Sequence, residues 1–173
     1  MSVVVRPCAP KDLKDILRLI KEIAVIYNVP LTQLYPNMEV LHKDGFGERP
    51  KFECFVAEAP PEQKSKEGHT IVGYILSAYT YSTWKGKNLY VDNFYVMPEF
   101  RGRRIGKKLM SSAAESAWAR GCTEFRMHSS SKKPENYAVL QRFGGGDLSA
   151  KHGWNLLRFY NDAVQKRAAQ SKV

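Results

Sequence analysis

The sequence predicts one α/β domain, of the α+β kind, with a mixed and mostly antiparallel twisted sheet flanked by helices. Strand-like and helix-like segments alternate through all 173 residues without a repeat, a linker or a change of composition. Hydrophobic residues make up 43% and charged residues 25%, which is ordinary for a globular domain. The early strands follow one another as pairs, and a strand–helix–strand unit occupies the second half. We therefore expect residues 1–173 to form a single domain.

The first half combines short strands with one strongly amphipathic helix. Its predicted elements are a strand over 3–6, helices over 12–27 and 32–42, a turn over 44–47, and strands over 52–58 and 71–81. The first helix is predicted from apolar residues that recur at helical spacing, and Pro30 ends that pattern. The turn is predicted from the glycines at 45 and 47.

The second half contains the longest helix and the strand that leads into it. Its predicted elements are a hairpin connection at Gly86 and Lys87, a strand over 88–96, a helix over 105–120, a strand over 122–128, a helix over 135–142 and a strand over 154–160. Gly121 is placed to end the long helix, because glycine is favoured where a helix terminates.

Charge and cysteine content restrict the function classes. The net charge of +10 favours an acidic partner, which leaves a phosphate-bearing cofactor, a solvated basic surface, nucleic acid or an anionic membrane. The basic residues are spread, apart from a cluster between Arg101 and Lys108, so the phosphate cofactor is favoured over nucleic acid or membrane. The three cysteines are far apart, and no metal-ligand spacing joins them to the histidines. With no signal-peptide pattern, we expect a cytoplasmic protein without a metal.

The segment between strand 88–96 and helix 105–120 has the chemistry of an anion site. The first turn of a helix leaves backbone N–H groups without partners, and the helix dipole adds positive potential. Gly102 and Gly106 allow close approach of a phosphate, and basic side chains add charge. An ordinary turn with a basic surface is the alternative. No Walker lysine follows, and the third glycine of a dinucleotide fingerprint is absent.

This segment resembles motif A of the GNAT acetyltransferases, Arg/Gln-x-x-Gly-x-Gly/Ala. Further matches over nearly the whole chain resemble the spermidine/spermine (diamine) acetyltransferases, and especially their thialysine branch. The matching segments are residues 15–22, 44–47, 56–58, 81–86, 95–102 and 147–149, with Gly153 and Trp154. The resemblance implies the GNAT fold, in which the sheet splays at the acetyl-CoA site. It also implies an acetyl-CoA-dependent N-acetyltransferase that forms a homodimer.

The resemblance assigns the cofactor to three groups of residues. Pantetheine pairs with the backbone of Phe94, Tyr95 and Val96. The pyrophosphate lies on Arg101, Gly102, Arg103, Arg104, Ile105, Gly106 and Lys107. The third group is Lys133, where the family has an asparagine that contacts the cofactor, and Asn136, which lies three residues later. One departure from the motif is Arg104, which stands where the family has its middle glycine.

The resemblance also assigns the catalytic groups. Asp92 is the candidate general base, acting through water, and a strand-end carboxylate that satisfies a loop is the alternative. The family's tyrosine general acid falls at Leu140, which cannot donate a proton. Tyr137 lies one helical turn earlier and is a candidate substitute donor. Proton return from solvent and turnover without any donor are the alternatives.

The acceptor is expected to be a small amine that carries a carboxylate, such as an amino acid or a thialysine-like compound. The substrate-binding residues implied are Tyr27, Asn28, Asp92, Arg126, Met127 and His128. The loop after the first helix lacks the acids of polyamine enzymes, and Ser82 replaces another acid. Three alternatives remain: a diamine or polyamine acetyltransferase, a protein or peptide amine acetyltransferase, and an acetyl-CoA-binding protein with little catalysis.

Overall fold

The sheet lies in the first of two compact units into which the chain divides after His128. A computed structural model describes residues 2–171. The sheet has five strands in the order in which they occur along the chain. They are β1 (Val4–Pro7), β2 (Glu53–Glu58), β3 (Ile71–Ser82), β4 (Gly86–Val96) and β5 (Glu124–Met127). The first four pair antiparallel, and β4 pairs with β5 in parallel. This confirms the predicted fold class.

Among residues 2–171, three α-helices belong to the first unit and three to the second. They are α1 (Leu13–Ile26), α2 (Met38–Phe46), α3 (Ile105–Ala119), α4 (Pro134–Arg142), α5 (Leu148–His152) and α6 (Asn161–Gln170). The second unit, from Ser129 onward, contains α4, α5 and α6. The sequence prediction of one domain over 1–173 stays a prediction.

The core of the first unit forms where α1 and α3 bury their apolar faces. On α1, Ile16 and Leu19 are fully buried. On α3, Leu109 and Ala113 are fully buried at the four-residue spacing of one helix face. Each buried leucine or isoleucine stabilises the fold by about 1.5–3 kcal/mol relative to an exposed one. The predicted end of α3 is confirmed, because Gly121 has a φ of 74° and donates its N–H to Trp118 O at 3.0 Å.

The predicted helix 32–42 and turn 44–47 are wrong in their limits. The helix α2 begins after Asn37, whose side chain accepts the Val40 N–H at 2.9 Å. It continues through Asp44 and Gly45 to Phe46. The glycine marks a close contact and not a turn, since a Cβ at Gly45 would lie 2.5 Å from Cζ of Phe52.

Two further predictions are corrected by strand pairing. Gly86 and Lys87 are the first residues of β4 and pair with Ser82 and Tyr81, so the hairpin connection is 83–85. The predicted strand 154–160 is absent, because these residues join no sheet in the described part of the chain. A strand needs a neighbour's N–H and C=O groups as well as aromatic and apolar side chains.

Candidate active site

The strands β4 and β5 separate partway along β4. Their pairing runs from Asn88 opposite Glu124 to Val91 opposite Met127, whereas β4 continues beside β3 as far as Val96. Beyond Val91, the edge of β4 that faces away from β3 has no strand partner among residues 2–171. This is the splay that the resemblance implies, and it exposes backbone N–H and C=O groups to a ligand.

Alternation along β4 decides which backbone groups reach that edge. Met97 N donates to Val72 O at 2.9 Å, so these opposite residues form a hydrogen-bonded pair. The next pair, Val96 with Gly73, is therefore of the non-hydrogen-bonded kind, and the backbone of Val96 faces the open edge. By the same alternation Phe94 faces the open edge, whereas Tyr95 is paired with β3.

Asp92 lies in a β-bulge where the splay begins. Leu76 is opposite Asn93 and Ser77 is opposite Val91, so Asp92 is the extra residue of β4. Bulges redirect side chains and are common beside active sites. The Asp92 side chain is exposed. The structure thus places the predicted general base at the start of the open edge.

The turn from β4 to α3 has two residues in the left-handed conformation. Gly102 has a φ of 77° and Arg104 has a φ of 60° and a ψ of 12°. Arg104 is the N-cap of α3, and its side chain forms no cap hydrogen bond. The first turn of α3, which begins at Ile105, contains no acidic residue. Its N–H groups and the dipole remain available to an anion, and the turn fits a pyrophosphate.

The basic residues of the turn fall into two groups. Arg101 donates to Val96 O at 3.0 Å, and its guanidinium lies 5.7 Å from the centre of the Tyr95 ring. Arg103 donates to a backbone oxygen at 3.3 Å and lies over the Phe100 ring. Within residues 2–171, no hydrogen bond or ion pair involves the side chain of Arg104 or of Lys107. These two cations are the ones left for a phosphate.

Gly106 permits close packing between α3 and β4. A Cβ at Gly106 would lie 3.1 Å from Cζ of Phe94, so a larger residue would displace that ring. This contact joins the first turn of α3 to one of the β4 residues that faces the open edge. The turn before α3 and the open edge of β4 are therefore in contact at this glycine.

The Tyr95 side chain belongs to the core and not to the site. Its hydroxyl donates to Glu22 at 3.2 Å, and Glu22 accepts from Arg18 at 2.6 Å. Burial, with a smaller effect from the Glu22 carboxylate, raises the pKa of Tyr95 to about 12. This phenol stays protonated. These contacts of Glu22 and Arg18 could not be predicted from the sequence, because they depend on how α1 packs.

Tyr27 and Asn28 terminate α1. Asn28 is left-handed, with a φ of 55°, and donates its N–H to Val25 O at 3.1 Å. Val29 N donates to Ala24 O at 2.8 Å, which completes a Schellman motif. Asparagine is tolerated in this conformation better than most residues. Asn28 thus has a structural role in addition to the predicted one in substrate binding.

We predict that Asn28→Ala lowers the free energy of unfolding by about 1 kcal/mol, because a Cβ-bearing residue without a local polar group is strained there. Asn28→Gly should leave it unchanged or raise it by a few tenths of a kcal/mol. Urea unfolding of the two variants measures the difference. Equal stability of both variants would contradict the capping role. A change in the KM of the amine with Asn28→Gly would report on substrate binding alone.

Three predicted site residues lie in the second unit, on or beside α4. Lys133 is the N-cap of α4, and Asn136 donates its N–H to Lys133 O at 3.0 Å. Tyr137 donates its hydroxyl to Asp147 at 3.0 Å, and this hydrogen bond raises the pKa of Tyr137. A proton held by a carboxylate is harder to give to a thiolate. The roles assigned to these residues stay predictions.

The residues at the end of β5 are held by neighbours. Arg126 donates to Glu124 at 2.8 Å on the same strand. His128 follows β5, and its Nδ1 lies 2.9 Å from the hydroxyl of Tyr90 on β4. The sequence analysis missed Tyr90. The alternation of β4 could have suggested it, because Tyr90 precedes Asp92 by two residues.

Comparison with known families identifies the reaction class of the protein. Residues 20–144 match the model of the acetyltransferase (GNAT) family. The chain belongs to this family. As a GNAT protein it is an N-acetyltransferase. The assignment of the cofactor to the open edge of β4 and to the basic turn stays a prediction.

The chain is similar to several acetyltransferases. It is 37% identical to thialysine N-epsilon-acetyltransferase of Sus scrofa, over 98% of this chain and 99% of that protein. It is 34% identical to spermidine/spermine N(1)-acetyltransferase-like protein 1 of Homo sapiens, over 92% of this chain but 23% of that protein. Aminoglycoside N-acetyltransferase AAC(6')-Iy, solved with CoA, shares the fold at a TM-score of 0.63 and 18% identity, over 92% of this chain and 93% of that chain.

Residues 2–171 contain neither a candidate metal site nor a candidate membrane span. In that range, no three or more histidine, cysteine, aspartate or glutamate side chains are grouped as a metal site would require. The same residues include no helix with the length and apolar character needed to cross a bilayer.

Proposed function

We propose that the chain transfers acetyl from acetyl-CoA to the primary amine of an amino-acid-like or thialysine-like small molecule. The observation that carries this proposal is the open edge of β4, which joins the Asp92 bulge to the basic turn at Arg104. The similarity to thialysine N-epsilon-acetyltransferase over nearly the full length of both chains supports the acceptor class.

In the proposed site, donor and acceptor meet at the start of the splay. The turn holds the pyrophosphate through backbone N–H groups, Arg104 and Lys107. The backbone groups of Phe94 and Val96 take the pantetheine, alongside the hydrogen bond that Arg101 donates to Val96 O. A backbone N–H near Val96 polarises the thioester oxygen. Asp92 removes the proton of the amine through water, since an amine like that of lysine is mostly protonated at neutral pH. The amine then attacks directly, and the thiolate leaves.

The charge of the substrate side disfavours polyamines. In the loop that follows α1, residues 27–33 contain no carboxylate. Ser82, which stands where polyamine enzymes have an acid, accepts backbone N–H groups of Trp84 and Lys85 at 3.3 and 3.2 Å. A trication beside a protein of net charge +10 needs opposing charges. An amine with its own carboxylate does not.

Thiol release from acetyl-CoA, measured with thialysine, lysine and other amino acids beside spermidine, tests the acceptor class. We expect turnover with amino-acid-like amines and kcat/KM for spermidine at least about tenfold lower. Efficient spermidine turnover would reject the proposed acceptor. Binding of acetyl-CoA in calorimetry without thiol release on any amine would favour a binding protein instead.

The assembly proposed from the family resemblance is a homodimer. Apolar side chains in the stretch 154–160 are strongly exposed, with Leu156, Leu157, Phe159 and Tyr160 at 71%, 76%, 71% and 69%. Such a surface suits a second copy of the chain. The proposed location is the cytoplasm, where the free thiols of Cys8, Cys54 and Cys122 would stay reduced.

We predict that Leu140→Tyr raises kcat by about tenfold, because it restores a proton donor for the thiolate where the family resemblance places one. The thiolate is a good leaving group, so the wild type turns over without this donor. Ala138→Tyr, two residues away on α4, is the matched control. Unchanged turnover of Leu140→Tyr would show that proton return at this position does not limit the rate.

A further inference from the structure

The pair Tyr90 and His128 joins β4 to the residue that follows β5. The Tyr90 hydroxyl and His128 Nδ1 are 2.9 Å apart. The two rings have an interplanar angle of 24°, and their centres are 5.9 Å apart. A hydrogen bond between a hydroxyl and one imidazole nitrogen fixes the orientation of the ring. The other nitrogen is then available to exchange a proton with a second group.

The register places this pair where the two strands separate. The last residues of the parallel ladder are Val91 and Met127. Asp92 is the next residue of β4, and His128 is the next residue after β5. Both side chains are exposed, whereas Leu89 and Val91 are buried in the core, so Tyr90 lies on the opposite face of β4. Tyr90 therefore fixes a histidine beside the position of the proposed general base.

We propose that His128, oriented by Tyr90, accepts the proton that the acceptor amine releases and passes it to solvent. This inference rests on the proposed function. The proposed relay uses the tautomer in which Nδ1–H donates to the Tyr90 oxygen, so that neutral His128 has its lone pair at Nε2. The amine proton moves through water to Asp92 and from Asp92 to Nε2. The C–N bond forms, the C–S bond breaks, and the thiolate takes a proton on release.

The different roles of Asp92 and His128 follow from their exposure and charge. Asp92 attracts the ammonium group and takes its proton through water, and His128 carries that proton away because its exposed ring reaches solvent. The other charged side chains on this part of the two strands, Glu124 and Arg126, neutralise each other through their ion pair at 2.7 Å. Tyr90 is a positioning residue, since it acts through His128.

The test compares substitutions of the pair with matched substitutions elsewhere. His128→Gln and His128→Asn remove the proton acceptor, and His128→Asn keeps an amide able to reach Tyr90. Both should lower kcat by about tenfold or more and leave the KM of acetyl-CoA unchanged. Tyr90→Phe should lower kcat less, by about threefold, because the ring loses its orientation but keeps its base. Exposed controls are His152→Gln and Tyr81→Phe, which should retain wild-type kcat.

Rescue by a small base separates chemistry from structure. Imidazole added to His128→Ala should raise kcat in proportion to the imidazole concentration, up to about tenfold. It should leave the kcat of the wild type unchanged. A kcat for His128→Gln equal to that of the wild type would overturn the inference, as would a loss in His128→Ala that imidazole leaves uncorrected. If the wild type releases no thiol with any amine, the proposed function itself fails. An active wild type with an unaffected His128→Gln rejects the relay alone.

Discussion

Replacing Asp92 by asparagine is expected to lower kcat about 100-fold with the best amine, while the Kd of acetyl-CoA stays unchanged. The substitution keeps the size of the side chain and removes its negative charge. Because Asp92 is the extra residue of the β-bulge and is exposed at the start of the open edge, its loss should not disturb the core. The effect should therefore fall on chemistry and not on folding.

The measurement is steady-state thiol release for Asp92→Asn, beside calorimetric titration with acetyl-CoA. Asp162→Asn, an exposed aspartate on α6, is the matched control. Asp92→Glu keeps a carboxylate, one carbon longer and as in the family's pattern, and should retain most of the activity. If Asp92→Asn keeps more than half of the wild-type kcat, the carboxylate only completes the strand end and is not the base.

Replacing Arg104 by glycine is expected to act in opposite directions on stability and on binding. Arg104 has a left-handed φ of 60°, which costs an ordinary residue about 1–2 kcal/mol. Glycine removes this strain from the folded state, which stabilises the protein. It also makes the unfolded chain more flexible, which offsets part of the gain. The free energy of unfolding should therefore rise by about 1 kcal/mol. The same change removes a cation that has no protein partner among the described residues, and charge-assisted hydrogen bonds are worth about 1.5–3 kcal/mol.

Calorimetry should therefore show acetyl-CoA binding weakened by about tenfold or more in Arg104→Gly. Arg49→Ala, an exposed arginine at a distant position in the sequence, controls for the loss of one unit of net charge. Weaker binding together with higher stability would identify Arg104 as strained in order to bind phosphate. Unchanged binding would mean that the backbone of the turn is sufficient and that the side chain points away.

The turn and its flanking elements could be predicted from the sequence because their signals are local. The alternating strand, the glycines and the amphipathic helix each depend on neighbouring residues. Which basic side chains of the turn have protein partners could not be predicted. The contacts of Arg101 with Tyr95 and of Arg103 with Phe100 depend on the folded turn.

Errors arose where a tertiary contact outweighed local preference. Gly45 fits a turn by composition, yet it lies inside α2, where the ring of Phe52 leaves no room for a Cβ. The stretch 154–160 has strand-like composition, but no neighbouring strand pairs with it in the described chain. The pairing of Tyr90 with His128 needs the register of β4 and β5, which no local pattern gives.

The central claim is that the open edge of β4 and the turn before α3 hold the acetyl donor. A crystal structure of the protein with CoA tests it most directly. We expect pyrophosphate oxygens within hydrogen-bond distance of backbone N–H groups in 102–107 and of Arg104, pantetheine along Phe94 and Val96, and the thiol near Asp92. CoA bound elsewhere, or a pyrophosphate that makes no contact with this turn, would contradict the claim.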